Sequence, residues 1–169
     1  MSLSTASLSF VTLQRLLELI LARRNTRWLL AKGGHEAGAA HYPVMVGLHA
    51  AWLAALWLLG RHQPVSLILL SAFALMQILR VWVIATLGQR WTTRIIVLPG
   101  APLVNRGPFR WLRHPNYCIV TCEIALLPLA LGLAWVAILF SILNAAMLSV
   151  RIACENRALA HETGSAPAT

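Results

Sequence analysis

Five apolar stretches, most of them near the length needed to cross a bilayer, take up most of this 169-residue chain. They are Leu3–Ala22, Pro43–Gly60, Pro64–Gly88, Tyr117–Leu131 and Ala134–Val150. A spanning helix needs about 20 mainly apolar residues, with a range of roughly 17–25. In hydrocarbon every backbone polar group must be satisfied within the segment, so such stretches can only be helices. Only 11% of the residues are charged, against about 25% in a soluble domain. The expected fold is all-α: one polytopic integral membrane domain over residues 1–169 with about five transmembrane helices.

The last two segments are joined by little more than Gly132, with Pro128 just before it. So short a link makes them antiparallel neighbours, a C-terminal helical hairpin. Neither is long, so each fits a bilayer with little tilt or with local thinning. The first segment is the weakest. Gln14, Arg15 and Glu18 interrupt it, and Arg15 and Glu18 can pair at i, i+3. It reads equally as a short span or as an interfacial helix. It is not a convincing signal peptide, because its basic cluster follows the apolar run.

The net charge of +9 would suit nucleic acid, but the basic residues lie between apolar segments and not along one solvated face, which excludes that partner. Arg23, Arg24, Arg27 and Lys32 follow the first segment. Arg90, Arg94, Arg106, Arg110 and Arg113 follow the third, Arg151 and Arg157 follow the fifth, and the opposite side has only Arg61. The positive-inside rule then puts the N-terminus outside and the C-terminus in the cytoplasm. Three cysteines, Cys118, Cys122 and Cys154, are too few and too apolar in setting for a disulfide framework. Each reads as a small buried packing residue. No zinc pattern, phosphate-cradling glycine loop or Ser/His/Asp order is present. Arg80 and Glu123 are expected to pair between helices, because unpaired charge in lipid is expensive. His49, Gln77 and Asn144 are expected to make interhelical hydrogen bonds. From Glu162 to Thr169 the chain reads as a frayed polar tail.

The polar connection Gln89–Asn116 carries most of the chemistry. It holds two turn signals, Pro99-Gly100 and Gly107-Pro108, with a short extended stretch, Ala101-Pro-Leu-Val104, between them. It ends in Arg106-Gly-Pro-Phe-Arg-Trp-Leu-Arg-His-Pro-Asn-Tyr117, a basic block at the mouth of an apolar helix. His114 before Pro115 marks a helix start, whose free N–H groups and dipole suit a carboxylate or phosphate. Read blandly, the block is a lipid-phosphate anchor and the chain a lipid-binding scaffold. Arg151 and Glu155, four apart at the end of the fifth segment, would converge on the same membrane face. Their order is the weaker one for an intrahelical pair.

The block Gly107–Tyr117, followed by a hairpin and then Arg151-Ile-Ala-Cys-Glu155-Asn-Arg157, resembles the isoprenylcysteine carboxyl methyltransferase family. These are membrane enzymes that use S-adenosylmethionine, and the resemblance covers residues 89–159. Membrane sterol reductases, which use NADPH, and phospholipid N-methyltransferases carry related blocks. The stretch Arg90–Gly100 is similar to a bacterial branch of small methyltransferases associated with O-methylation of alkylpyrones or alkylresorcinols. The resemblance implies cofactor contacts at Ala101, Pro102, Leu103, Val104, Phe109, His114, Pro115, Asn116, Tyr117 and Glu155. It implies a substrate-side arginine at Arg151, taken as the catalytic residue. Arg94 falls where the family has an earlier contact of another residue type. Phe109 stands where the family has tyrosine, and the aromatic tail that commonly follows the glutamate is missing. The implied function is methylation of a lipophilic acceptor reaching the site from the membrane lipid, either an alkylated pyrone or phenol or an isoprenylcysteine-like lipid. No metal is implied. The implied location is the bacterial inner membrane.

Overall fold

The computed structural model describes residues 2–162; of the expected polar tail, residues 163–169 lie outside them. Five helices carry the chain: α1 (Leu3–Ala31), α2 (Tyr42–Gly60), α3 (Leu67–Leu87), α4 (Pro115–Ala130) and α5 (Ala134–Glu162). Four are long and apolar enough to cross a membrane, and α4 is a shorter apolar helix. The fold is therefore all-α and polytopic. Two three-residue strands, β1 (His35–Ala37) and β2 (Ile95–Val97), form an antiparallel pair with Glu36 opposite Ile96. The stretch Ala101–Val104, expected to be extended, carries no regular structure.

Two helices run further than their apolar runs. α1 was expected to stop at Ala22 but continues to Ala31 and ends where Gly33 takes φ 87°. Arginines are good helix formers, so Arg23, Arg24 and Arg27 do not break it. α5 passes its expected end at Val150 for the same reason. With 29 residues each and a rise of about 1.5 Å per residue, both exceed the ~30 Å hydrocarbon layer. α1 is thus long and apolar enough to span the hydrocarbon and to extend past it.

The α4–α5 hairpin closes through Gly132 at φ 71°, where the amides of Gly132 and Leu133 turn back to Leu129 and Pro128. Pro128 lies inside α4 and offers no N–H to the Ile124 carbonyl. The Trp52 indole N–H donates to that carbonyl instead, at 3.3 Å, which joins α2 to α4. One apolar cluster is built on Leu8, Trp52, Leu56, Ile124, Leu127 and Val136. A second, Ala22, Val83, Trp91 and Ile119, supports the polar connection.

An ionic cluster lies inside the bundle. The Glu123 carboxylate accepts from Gln77 at 2.7 Å, Arg80 Nε at 2.8 Å and Arg15 at 2.7 Å, and from a second Arg80 nitrogen. Glu18 accepts from Arg15 at 2.7 Å and from Arg80 at 3.5 Å. The expected Arg80–Glu123 and Arg15–Glu18 pairs are thus halves of one neutral group linking α1, α3 and α4. Gln77 meets the interhelical expectation. His49 does not, because its ring bonds the Met45 carbonyl one turn away on its own helix. Asn144 is buried, and its Nδ2 has no partner among the described residues. The cysteine expectation needs correction too. Cys118 and Cys122 are exposed and Cys154 is half-buried, because the buried face of α4 is taken by Ile119, Glu123 and Ile124.

Candidate active site

The C-terminal ends of α1, α3 and α5 and the N-terminal ends of α2 and α4 gather at one end of the bundle. There they surround a cavity of about 530 Å³, within the ~300–1,000 Å³ usual for small-molecule sites. The eleven residues singled out from the sequence, from Ala101 to Glu155, all line it. So do Leu29, Leu87, Arg90, Trp91 and Arg94.

At its centre stands Tyr117, in the first turn of α4. Its hydroxyl donates to Glu155 Oε2 at 2.6 Å and accepts from Arg151 Nε at 3.0 Å. Arg151 and Glu155 therefore do not form the intrahelical pair considered from their spacing; the phenol stands between them. The His114 ring stacks on Tyr117, centroids 5.3 Å apart, with Nδ1 3.9 Å from the same Glu155 oxygen. His114 is the residue that enters α4, and Pro115, at the first helical position, needs no hydrogen-bond partner.

Arg151 is buried and fixed from three sides. Besides Tyr117, it donates to the Thr93 carbonyl at 2.7 Å and to Met45 Sδ at 3.0 Å. A guanidinium carries five N–H donors, so two stay available for an acceptor group. Arg94 is held by Glu36, at 2.7 Å to each carboxylate oxygen, and lies 4.1 Å over the Tyr42 ring. Asn25 of α1 donates to the Gly88 and Trp91 carbonyls, which fixes the chain leading into β2. The turn from β1 into α2 lies against α5 at Gly38, whose φ is 63°. A Cβ there would stand 2.4 Å from Cys154 Sγ and 2.5 Å from the His41 ring.

Sequence reading missed Glu36, Tyr42, Met45, Trp91 and Thr93. One signal was available: the chain has five acidic residues, and Glu36 alone lies between the first two apolar segments, near no basic residue but those of the polar connections.

Two of the lining residues carry an unsatisfied polar atom. Asn116 Oδ1 and Trp91 Nε1 are buried with no protein partner, one acceptor and one donor. Buried polar groups are seldom left unpaired, so this pair fits a ligand that both donates and accepts, as a nucleoside does. Glu155 and His114 suit an amino acid end, and Phe109 and Val104 suit a flat apolar face.

Depth follows from helix length. α4 has 16 residues, about 24 Å, shorter than the hydrocarbon layer. Arg151 comes 17 residues into α5, about 26 Å from its start. Arg151 thus lies nearly one hydrocarbon thickness along α5 from its start, with Glu155 one turn further on.

The isoprenylcysteine carboxyl methyltransferase (ICMT) family matches residues 66–161. An uncharacterized protein of Bacillus subtilis (strain 168), YpbQ, is 39% identical over 157 residues, covering 90% of this chain and 94% of that protein. An uncharacterized protein of Haemophilus influenzae is 27% identical, covering 87% and 89%. No solved structure matches. The matched region holds both halves of the Tyr117 cluster, and the chain belongs to the ICMT family of membrane methyltransferases.

Proposed function

We propose that this protein transfers a methyl group from S-adenosylmethionine to an acidic oxygen on a lipophilic acceptor. The observation that carries the reading is the Tyr117 hydroxyl joining Glu155 to Arg151 on the cavity wall. It sets a carboxylate suited to a cofactor's ammonium or ribose beside a guanidinium suited to an acceptor's oxyanion.

Bound S-adenosylmethionine would supply an electrophilic methyl on a cationic sulfur. Ala101–Val104, Phe109, His114–Tyr117 and Glu155 would hold it, with Asn116 Oδ1 and Trp91 Nε1 offering the unsatisfied hydrogen bonds. Arg151 draws the acceptor oxygen into its anionic form and aims it, since in-line displacement gains most from alignment. An enol or carboxylate is already ionised near neutral pH and needs no general base. A phenol must give its proton to solvent water as it binds, with Arg151 stabilising the phenolate that takes the methyl group. The apolar walls, among them Leu29, Leu87 and Ile95, keep water out. With Arg151 nearly one hydrocarbon thickness along α5, the acceptor can arrive sideways from the lipid. The similarity of Arg90–Gly100 to the alkylpyrone and alkylresorcinol branch, together with the missing aromatic tail after Glu155, favours an alkylated pyrone or phenol over an isoprenylcysteine-like lipid. We place the cavity on the cytoplasmic side of a bacterial inner membrane, with the C-terminus inside, because the arginine-rich connections are at that end.

The test uses purified protein in nanodiscs. S-adenosylhomocysteine should bind, and labelled methyl should pass to a long-chain alkylpyrone or alkylresorcinol more readily than to a prenylcysteine. His114→Ala and Glu155→Ala should abolish transfer while the protein stays folded. Tight NADPH binding without S-adenosylhomocysteine binding would sink the proposal.

A further inference from the structure

The segment that walls the cavity has a second face. A 3-10 turn, Gly107–Arg110, divides its side chains. Pro108 is buried, and Phe109 packs against the Ala22–Val83–Trp91–Ile119 cluster and lines the cavity. Arg110, Trp111 and Leu112 are exposed, while Arg113 lines the cavity. Trp111 is 71% exposed, yet its ring is 6.0 Å from Trp82 of α3. Trp82 ends a stripe of exposed apolar residues, Leu75, Ile78 and Val81, on the outside of the bundle. Paired tryptophans at the end of such a stripe mark the headgroup level.

Arg106 and Arg110 precede Trp111 in the chain and are exposed. Among the described residues no carboxylate meets them. Glu18, Glu36, Glu123 and Glu155 are engaged elsewhere, and Arg106 has only the Thr86 carbonyl at 3.3 Å. Two guanidiniums with no carboxylate partner at headgroup depth, beside aromatic rings that seat in the interface, complement a negative surface.

We propose that this outer face is a docking surface for anionic phospholipid headgroups. Its other side bears Phe109 and His114, so a headgroup held there steadies the cavity wall. By linkage, lipid and nucleoside then each strengthen the other's binding by the same factor. That consequence rests on the cofactor reading above; the surface itself does not.

The test uses the full chain, one copy per nanodisc, in phosphatidylcholine with or without phosphatidylglycerol. Spin-labelled phosphatidylglycerol should be retained in preference to spin-labelled phosphatidylcholine. Each arginine at an anionic surface is worth about fivefold, so Arg110→Gln should cut the preference by up to about that factor and Arg106→Gln/Arg110→Gln further. S-adenosylhomocysteine affinity should rise with phosphatidylglycerol content in the wild type and lose that rise in Arg110→Gln. Equal retention of the two lipids, or a preference that both variants keep, overturns the surface. Lipid preference with a flat nucleoside affinity overturns the linkage. Failure of S-adenosylhomocysteine to bind in every disc counts against the cofactor reading, while the labelled lipids still decide the surface.

Discussion

Replacing Glu123 with leucine should destabilise the bundle by about 3–4 kcal/mol, although leucine is apolar and of similar size. Glu123 is 1% exposed, and its two oxygens serve Gln77, Arg80 and Arg15. The wild-type cluster is neutral, with two arginines and two glutamates. Glu123→Leu leaves two guanidiniums on Glu18, which sits 2.7 Å from Arg15 and only 3.5 Å from Arg80. Breaking a buried pair from one side costs about 3–5 kcal/mol, and the remaining Glu18 contact argues for about 3–4 of that. Arg80→Met should cost about 2–3 kcal/mol, because Glu123 keeps Arg15 and Gln77. The double variant keeps the neutral Arg15–Glu18 pair and exchanges an ion pair for apolar volume, a change that is often close to neutral. It should be within about 1–2 kcal/mol of wild type, for a coupling of roughly 4 kcal/mol that exceeds the usual 0.5–3 between neighbours. Reversible unfolding in mixed micelles, followed by tryptophan fluorescence, measures all four corners. Single variants within about 1 kcal/mol of wild type, or a double variant equal to the sum of the two, would refute the cluster as the tie between α1 and the hairpin.

Three further outcomes follow from particular contacts. Trp52→Phe should cost about 1–2 kcal/mol by leaving the Ile124 carbonyl unpaired, and much less in a Pro128→Ala background, where residue 128 regains an N–H; the same unfolding assay reads both. Tyr117→Phe keeps the ring that stacks on His114 but releases Arg151 and Glu155. Methyl transfer should fall at least about 100-fold, as for a misplaced reacting group, with S-adenosylhomocysteine affinity falling far less in calorimetry. Cys118→Ala/Cys122→Ala should leave stability within about 0.5 kcal/mol of wild type, as expected for surface positions, whereas packing residues would show a clear loss.

The ionic cluster and the cavity share one framework. Glu123 stands about 1.7 turns along α4 from Tyr117, so the charges that hold α1, α3 and α4 together also fix the helix that carries the central phenol. Arg151 reaches α4 through Tyr117, the connection before β2 through Thr93, and α2 through Met45. Three remote stretches thus orient one guanidinium, which is how a site gains geometry that a single helix could not hold.

Helix number, the hairpin and the membrane class were legible in the chain because hydrocarbon admits so few solutions: a long apolar run must be a helix wherever its neighbours lie. The basic block before α4 and the Arg151–Glu155 pair were legible for a related reason, since charge at membrane depth has to be compensated. What compensates it was not legible. Nothing in the order of residues says that Tyr117 stands between Arg151 and Glu155, that Glu36 holds Arg94, or that Glu123 answers two arginines from different helices. Those partners are 34–108 residues apart, and their meeting depends on how helices rotate and slide against one another. The end of α1 escaped for a local reason: an apolar run stops where lipid stops, while a helix stops only where its backbone meets a residue like Gly33. Sequence periodicity and charge therefore determined which elements exist and which residues need partners. Helix packing alone decided who the partners are, because pairing energy in a bilayer is collected only once the geometry is complete.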